Sequence, residues 1–188
     1  MTKEEIRILY KQKRRKIAVS EKEKLEDLML IQFQKIPEVK DDCLMSFAPI
    51  TAQNEYNPYL PEAWYHLFNK NIAFVYPKMY PNYNSMEGFI VDNDTPFKTN
   101  EFGVDEPFSV VRIRPEDIDI MFVPLIAFDV NGHRVGYGKG YYDKYIKLCN
   151  LKMVKIGFSF FEPVNIDDIN THDMKLNYCV TPQQLYTF

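Results

Sequence analysis

Four of the seven glycines in this chain fall within residues 132–140, in the segment NGHRVGYGKG, and Arg134, Lys139 and Asp143 stand among or just after them. Glycine is required where φ is positive or where main chain must come close to a ligand. A loop of this kind offers free backbone amides, and the two cations add charge, so the chemistry it suits is the binding of an anion, phosphate first. Asp143 brings a carboxylate of the type that holds magnesium against phosphate oxygens. By itself it reads equally well as a favourable acidic residue in the first turn of a helix. The segment has neither the Walker order nor the dinucleotide fingerprint, and a glycine-rich connection without a ligand is the bland alternative. A second polar pair, His172 with Asp173 in THDMKL, reads on its own as a turn.

These residues need elements to position them. The glycine cluster follows an apolar run that ends near Phe128 and precedes a helical pattern from Gly140 through Tyr141, Tyr142, Tyr145, Ile146 and Leu148 to Asn150. That is the strand-to-helix crossing where open α/β sheets take ligands. At the other end, Thr2 with Glu5 forms a capping-box pattern, and Ile6, Leu9, Tyr10 and Ile17 recur at helical spacing among Lys and Arg. Ser20 with Glu23 repeats that pattern, and Leu25, Leu28, Met29, Phe33 and Ile36 predict a second amphipathic helix stopped by Pro37. Short apolar runs at 43–48, 72–76, 86–91, 119–128 and 153–160 predict strands, with a helix over Pro61 to Lys70 between the first two. The stretch 80–117, rich in Pro, Asn and Asp, predicts loops bordering a site. The expected fold is α/β: a single three-layer domain over residues 1–188, with a mainly parallel sheet flanked by helices and two helices at the N-terminus.

Composition narrows the function classes. With 46% hydrophobic and 15% aromatic residues the chain can bury a sizeable core. A net charge of -3 and a pI near 5.7 argue against a nucleic-acid partner. Residues 1–24 nevertheless hold nine Lys or Arg against four Glu. A basic first segment on an acidic chain suggests a local site for a small anion, or else a solvated helix face. Cys43, Cys149 and Cys179 show no CxxC spacing, so neither a disulfide framework nor a zinc site is expected. No apolar run is long enough to cross a bilayer. The expectation is a cytoplasmic monomer without nucleic-acid or membrane partners.

Residues 123–143, VPLIAFDVNGHRVGYGKGYYD, resemble the signature of the 5-formyltetrahydrofolate cyclo-ligase family, VPGLAFDxxGxRLGYGGGYYD. Further similarity lies in KEEIRILYKQKRR, NEYNP, AFVYPK, FGVDEP and HDMKLNYCVTP, in the family's order and over nearly the whole chain. The resemblance implies an ATP-dependent enzyme that cyclises 5-formyltetrahydrofolate to 5,10-methenyltetrahydrofolate, with ATP and Mg2+ required and a reduced folate as substrate. It implies that Lys3 and Arg7 meet ATP together with the loop Arg134, Val135, Gly136, Tyr137, Gly138, Lys139, Gly140, Tyr141 and Tyr142, with Arg134 and Lys139 in catalytic roles. Asp143 and Asp173 would be the magnesium carboxylates. Glu55, Phe102, Tyr141 and Tyr142 would meet the folate. Without the resemblance Glu55 reads as a surface turn charge and Phe102 as core. Leu125 and Lys139 replace glycines of the family pattern, and the segment EPVNIDDINTHD is shorter than in relatives and lacks a glutamine found there.

Two other classes stay open on residues alone. One is an α/β enzyme acting on a sugar phosphate or acyl-CoA; the other is a non-catalytic nucleotide-binding module. No Ser lies in a nucleophile elbow and the cysteines have no visible His partner, so covalent catalysis is not expected.

Overall fold

The Glu5 amide donates to the Thr2 hydroxyl at 3.3 Å and the Thr2 amide donates to the Glu5 carboxylate at 2.8 Å, closing the expected capping box. It opens helix α1, Lys3–Arg15. The structure is a computed structural model that describes residues 1–37, 43–69, 71–108 and 111–188. Along α1 the buried stripe is Ile6, Tyr10 and Arg14, one residue per turn, whereas Leu9 is exposed. Helix α2, Val19–Phe33, starts earlier than the Ser20 pattern predicts. Ala18 is its N-cap and makes no side-chain bond, so Ser20 lies inside the first turn. Met29 and Phe33 form its buried face, and Leu28 is exposed.

Seven strands make the main sheet, in the order β11-β10-β9-β6-β1-β2-β3. They are β1 (Cys43–Met45), β2 (Ala73–Tyr80), β3 (Ser85–Val91), β6 (Ile120–Val123), β9 (Val154–Phe158), β10 (Tyr178–Val180) and β11 (Leu185–Thr187). The inner five run parallel, and β3 and β11 close the two edges antiparallel. Side chains alternate across the sheet because strand period is two. In β6, Ile120 and Phe122 pack with Met29 and Phe33 of α2 on one face. Met121 and Val123 point the other way, to Tyr145, Ile146 and Cys149. Both faces are therefore buried, as near-continuous apolar strands require.

The predicted strand 119–128 is broken. It ends at Val123, and Pro124, which has no N–H to give a ladder, begins a crossing to the separate hairpin β7 (Ala127–Phe128) with β8 (Arg134–Val135). Helix α3 covers Tyr59–Phe68, so Pro61 sits in the first turn, where helix N–H groups lack partners anyway; the predicted end at Lys70 lies outside the described residues. Helix α4 is only Tyr141–Ile146 and gives way to a turn, short of the expected Asn150. The stretch 80–117 is more regular than its composition suggests. It holds β3 and a second hairpin, β4 (Phe97–Thr99) with β5 (Asp105–Pro107). Strands β10 and β11 were not anticipated. All three cysteines are buried, and no helix among the described residues is long and apolar enough to cross a membrane.

Candidate functional site

A cavity of about 470 Å³ opens at the carboxyl ends of the parallel strands, between α1, the segment after β8, the β4–β5 hairpin and the start of α4. This volume lies in the usual range for small-molecule sites.

The glycine segment serves two ends. Gly132 has φ +85° and closes the β7–β8 turn, where the Asp129 carboxylate accepts from Asn131 N at 2.9 Å and His133 N at 2.8 Å. It does not line the cavity. From β8 onward the chain turns toward the cavity. Successive strand residues point to opposite sides: Arg134 lines the cavity, while Val135 is fully buried against Ile6 and Tyr10 of α1. Val135 is thus a packing residue and stands apart from the other expected nucleotide contacts. Gly136 to Gly140 form the next stretch of wall. Gly138 has φ +91°, and a Cβ there would sit 3.3 Å from the Arg7 Cζ. Arg7 donates through Nε to the Gly136 carbonyl at 2.9 Å and reaches Glu4 at 2.9 Å, so α1 is tied to this loop by its cations.

Arg134 is 7% exposed and donates through Nη2 to Asp143 Oδ1 at 3.0 Å. Its Nε is buried without a partner among the described residues, which leaves a cation with donor capacity to spare. Across the cavity, Lys3 pairs with Asp173 Oδ2, and the same oxygen accepts from Asn170 N at 2.7 Å. Burial alone would raise the Asp173 carboxyl, but the Asn170 amide and the Lys3 ammonium outweigh it and hold the group below the ordinary carboxylate value. The Lys3 amide donates to Asp168 at 2.7 Å, fixing the start of α1 against this loop.

Glu55 is not a surface charge. It is 4% exposed, on the cavity wall next to the short helical turn Thr51–Gln53. Its Oε2 accepts from Ile50 N at 2.9 Å and its Oε1 from the Tyr137 hydroxyl at 2.6 Å, with Arg14 Nη1 4.0 Å away. Burial pushes the carboxyl up, and Arg14, the Ile50 amide and Tyr137 oppose that shift. Arg14 is the functional candidate that sequence reading missed. Its signal was present: an arginine one turn past Tyr10 on the stripe that faces the core.

The remaining wall is apolar. Phe47, Pro77, Met79, Phe102 and Val104 line it, with Tyr141 and Tyr142 beside the glycine loop. Phe102 sits in the β4–β5 turn, is 39% exposed, and is set by the Asn100 side chain, which accepts from Phe102 N at 2.9 Å and Val104 N at 3.1 Å. The Lys139 ammonium lies 5.7 Å from the Phe102 ring centroid, so the glycine loop and the hairpin meet across the cavity. Of the residues given nucleotide, folate or magnesium roles by the family resemblance, all but Val135 line this one space.

Among the described residues no group of three His, Cys, Asp or Glu side chains is arranged to hold a metal ion. Asp143 and Asp173 do line the same cavity, and each uses one oxygen in its ion pair, Oδ1 and Oδ2 respectively. Each can offer its other oxygen. Two carboxylates with free oxygens suit magnesium that takes its remaining ligands from phosphate and water, not from a protein cage.

A model of the 5-formyltetrahydrofolate cyclo-ligase family matches residues 1–182. A 5-formyltetrahydrofolate cyclo-ligase of Mycoplasma genitalium is 52% identical over 49 residues, 26% of this chain and 30% of the relative. One of Haemophilus influenzae is 40% identical over 70 residues, 36% of this chain and 37% of the relative. The aligned segments span about a third of the length of these relatives. In three dimensions the chain is similar to the solution structure of Aquifex aeolicus 5,10-methenyltetrahydrofolate synthetase, with a TM-score of 0.79 and 28% identity over 100% of this chain and 93% of that one.

Proposed function

The chain belongs to the 5-formyltetrahydrofolate cyclo-ligase family, and from that premise we propose that it converts 5-formyltetrahydrofolate to 5,10-methenyltetrahydrofolate, with one ATP becoming ADP and phosphate. One observation carries this reading. A single cavity joins a cationic glycine loop, suited to a triphosphate, to a buried carboxylate and an apolar aromatic wall, suited to a flat, N–H-rich heterocycle.

In this account the formyl oxygen attacks the γ-phosphorus and the bond to ADP breaks, leaving an imidate phosphate. The neighbouring folate nitrogen then attacks the formyl carbon and gives up its proton, and the carbon–oxygen bond to phosphate breaks. Phosphoryl transfer asks for alignment and for neutralisation of the phosphate oxygens, not for a protein nucleophile. Lys3, Arg7, Arg134 and Lys139 are the residues for that task, with Gly136, Gly138 and Gly140 giving the phosphates room. Asp143 and Asp173 would hold a magnesium ion, whose chemistry there is further neutralisation of phosphate oxygens. Glu55 accepts from folate N–H groups, and Phe102 with Tyr141 and Tyr142 encloses the ring. Three buried thiols suit a reducing, cytoplasmic setting, and we take residues 1–188 to act as one monomeric domain.

The test is ADP release from MgATP with and without 5-formyltetrahydrofolate. Folate-dependent release supports the reading. Release that ignores folate, or none at all, refutes it and leaves a sugar-phosphate enzyme or a nucleotide-binding module.

A further inference from the structure

Arg14 is 4% exposed and is not itself part of the main cavity wall. A guanidinium out of water is unfavourable unless its N–H groups are paired, and here the pairing is specific. Nε donates to the Gln53 carbonyl at 2.8 Å, Nη1 to the Leu125 carbonyl at 3.2 Å, and Nη2 to the Tyr137 hydroxyl. Two of these bonds anchor the side chain to backbone, at Gln53 and at Leu125. The third has a directional effect. A phenol has one proton, and the Tyr137 oxygen already accepts from Arg14, so that proton is directed to Glu55 Oε1 at 2.6 Å. Oε2 is held in turn by the Ile50 amide. The chain of bonds runs from α1 through the glycine loop to the carboxylate.

Resting on the reading of Glu55 as a folate-site group, we propose that Arg14 is a positioning residue for the reaction: without touching substrate it orients the Tyr137 hydroxyl and through it holds the Glu55 carboxyl group in place in the cavity wall. Besides the Ile50 amide, the titratable groups that interact with Glu55 come from four elements: Arg14 from α1, Lys22 from α2, Tyr137 from the glycine loop and Tyr142 from α4. Burial pushes the Glu55 carboxyl up, and Arg14 is the largest opposing influence. Hydrogen bonds to charged groups in low dielectric are the strong ones, and Arg14 reaches Glu55 through two of them in series, by way of the Tyr137 hydroxyl.

The experiment compares the full chain with Arg14→Leu, Arg14→Lys, Tyr137→Phe and Glu55→Gln. It measures kcat and KM for 5-formyltetrahydrofolate across pH, and ATP affinity by calorimetry without folate. Arg14→Leu and Tyr137→Phe are expected to raise the folate KM by about tenfold or more. Arg14→Leu should also move the acid limb of kcat/KM to higher pH, since Glu55 then takes up its proton more readily. Arg14→Lys keeps the charge but loses the fork, so it should restore the acid limb while the folate KM stays raised. ATP affinity should stay within about twofold in the Arg14 and Glu55 variants. Unchanged folate KM in Arg14→Lys overturns the proposal, and that variant decides the matter if Arg14→Leu does not fold. Equal losses in folate and ATP binding also overturn it, because they report general loosening. Glu55→Gln separates the premise: a wild-type folate KM there refutes the role of Glu55 itself, whatever Arg14 does.

Discussion

Two glycines of one segment, Gly132 and Gly138, have nearly the same left-handed backbone, φ +85° and +91°, but only Gly138 lines the cavity. Replacing either by alanine imposes a strain of about 1–3 kcal/mol. At Gly132 the new Cβ also meets the Phe188 ring, 2.8 Å from Cγ, so the hairpin turn or the C-terminal ring must move. At Gly138 the nearest atom is the Arg7 Cζ at 3.3 Å, the far end of a flexible side chain that can shift by a few tenths of an ångström. Strain alone then lowers Tm by roughly 2–12 °C in Gly132→Ala, at about 2–4 °C per kcal/mol for a chain of this size. That variant should keep the ATP KM of the wild type. In Gly138→Ala the same strain relaxes by reshaping the loop proposed to cradle the phosphates and by moving Arg7 off the Gly136 carbonyl. If all of it appears in binding, the ATP KM rises by about 5–150-fold. Thermal unfolding and ADP-release kinetics over a range of ATP concentrations measure both quantities. An unchanged ATP KM in Gly138→Ala, or an equal rise in both variants, refutes the assignment of this loop to the triphosphate.

Asp143→Asn should depress kcat by about a hundredfold or more while Tm changes little, because the carboxylate is partly exposed and its loss leaves the fold's core intact; full turnover in the variant removes Asp143 from the site. Phe33→Ala, which takes away a ring packed edge-on against Tyr65 and Phe122 and close to Phe158, should lower stability by about 3–5 kcal/mol in chemical denaturation and leave the folate KM unaltered; a changed KM would contradict the separation of this ring from the cavity wall. Burial raises the Glu62 carboxyl, with bonds from Ser46 and Tyr76 opposing it. The folded chain therefore holds this proton more tightly than the unfolded one, and the stability it contributes is lost as pH rises through the folded value. Glu62→Gln has no proton to lose, so its stability should gain on the wild type as pH rises above the ordinary glutamate value of about 4; a difference that shrinks as pH rises would reverse the sign and refute the cause.

The glycine cluster was legible because its chemistry is local: few residue types satisfy positive φ, close approach and positive charge together. Helix α1 was legible for the same reason, since both halves of its capping box lie within four residues. What the sequence concealed depends on tertiary context. Glu55 looks like a turn charge until the segment Ile50–Glu55 folds under α1 and Arg14 comes to face it. Arg14 itself was one basic residue among nine, and only the burial of Ile6 and Tyr10 shows which face it shares. The run 119–128 reads as one strand because apolar continuity persists through Pro124, yet the residues on either side join different sheets. Phe102 lies in a segment whose Asn and Asp suggest irregular loops, and the Asn100 side chain uses that chemistry to shape a hairpin turn.

The central claim is tested most directly by mixing purified protein with MgATP and a limiting amount of 5-formyltetrahydrofolate, and following methenyltetrahydrofolate absorbance and ADP together. The account predicts that both rise in step, one ADP for each methenyl product, and stop when the folate is consumed. ADP formed without the methenyl chromophore, or the chromophore formed without ATP, would contradict it.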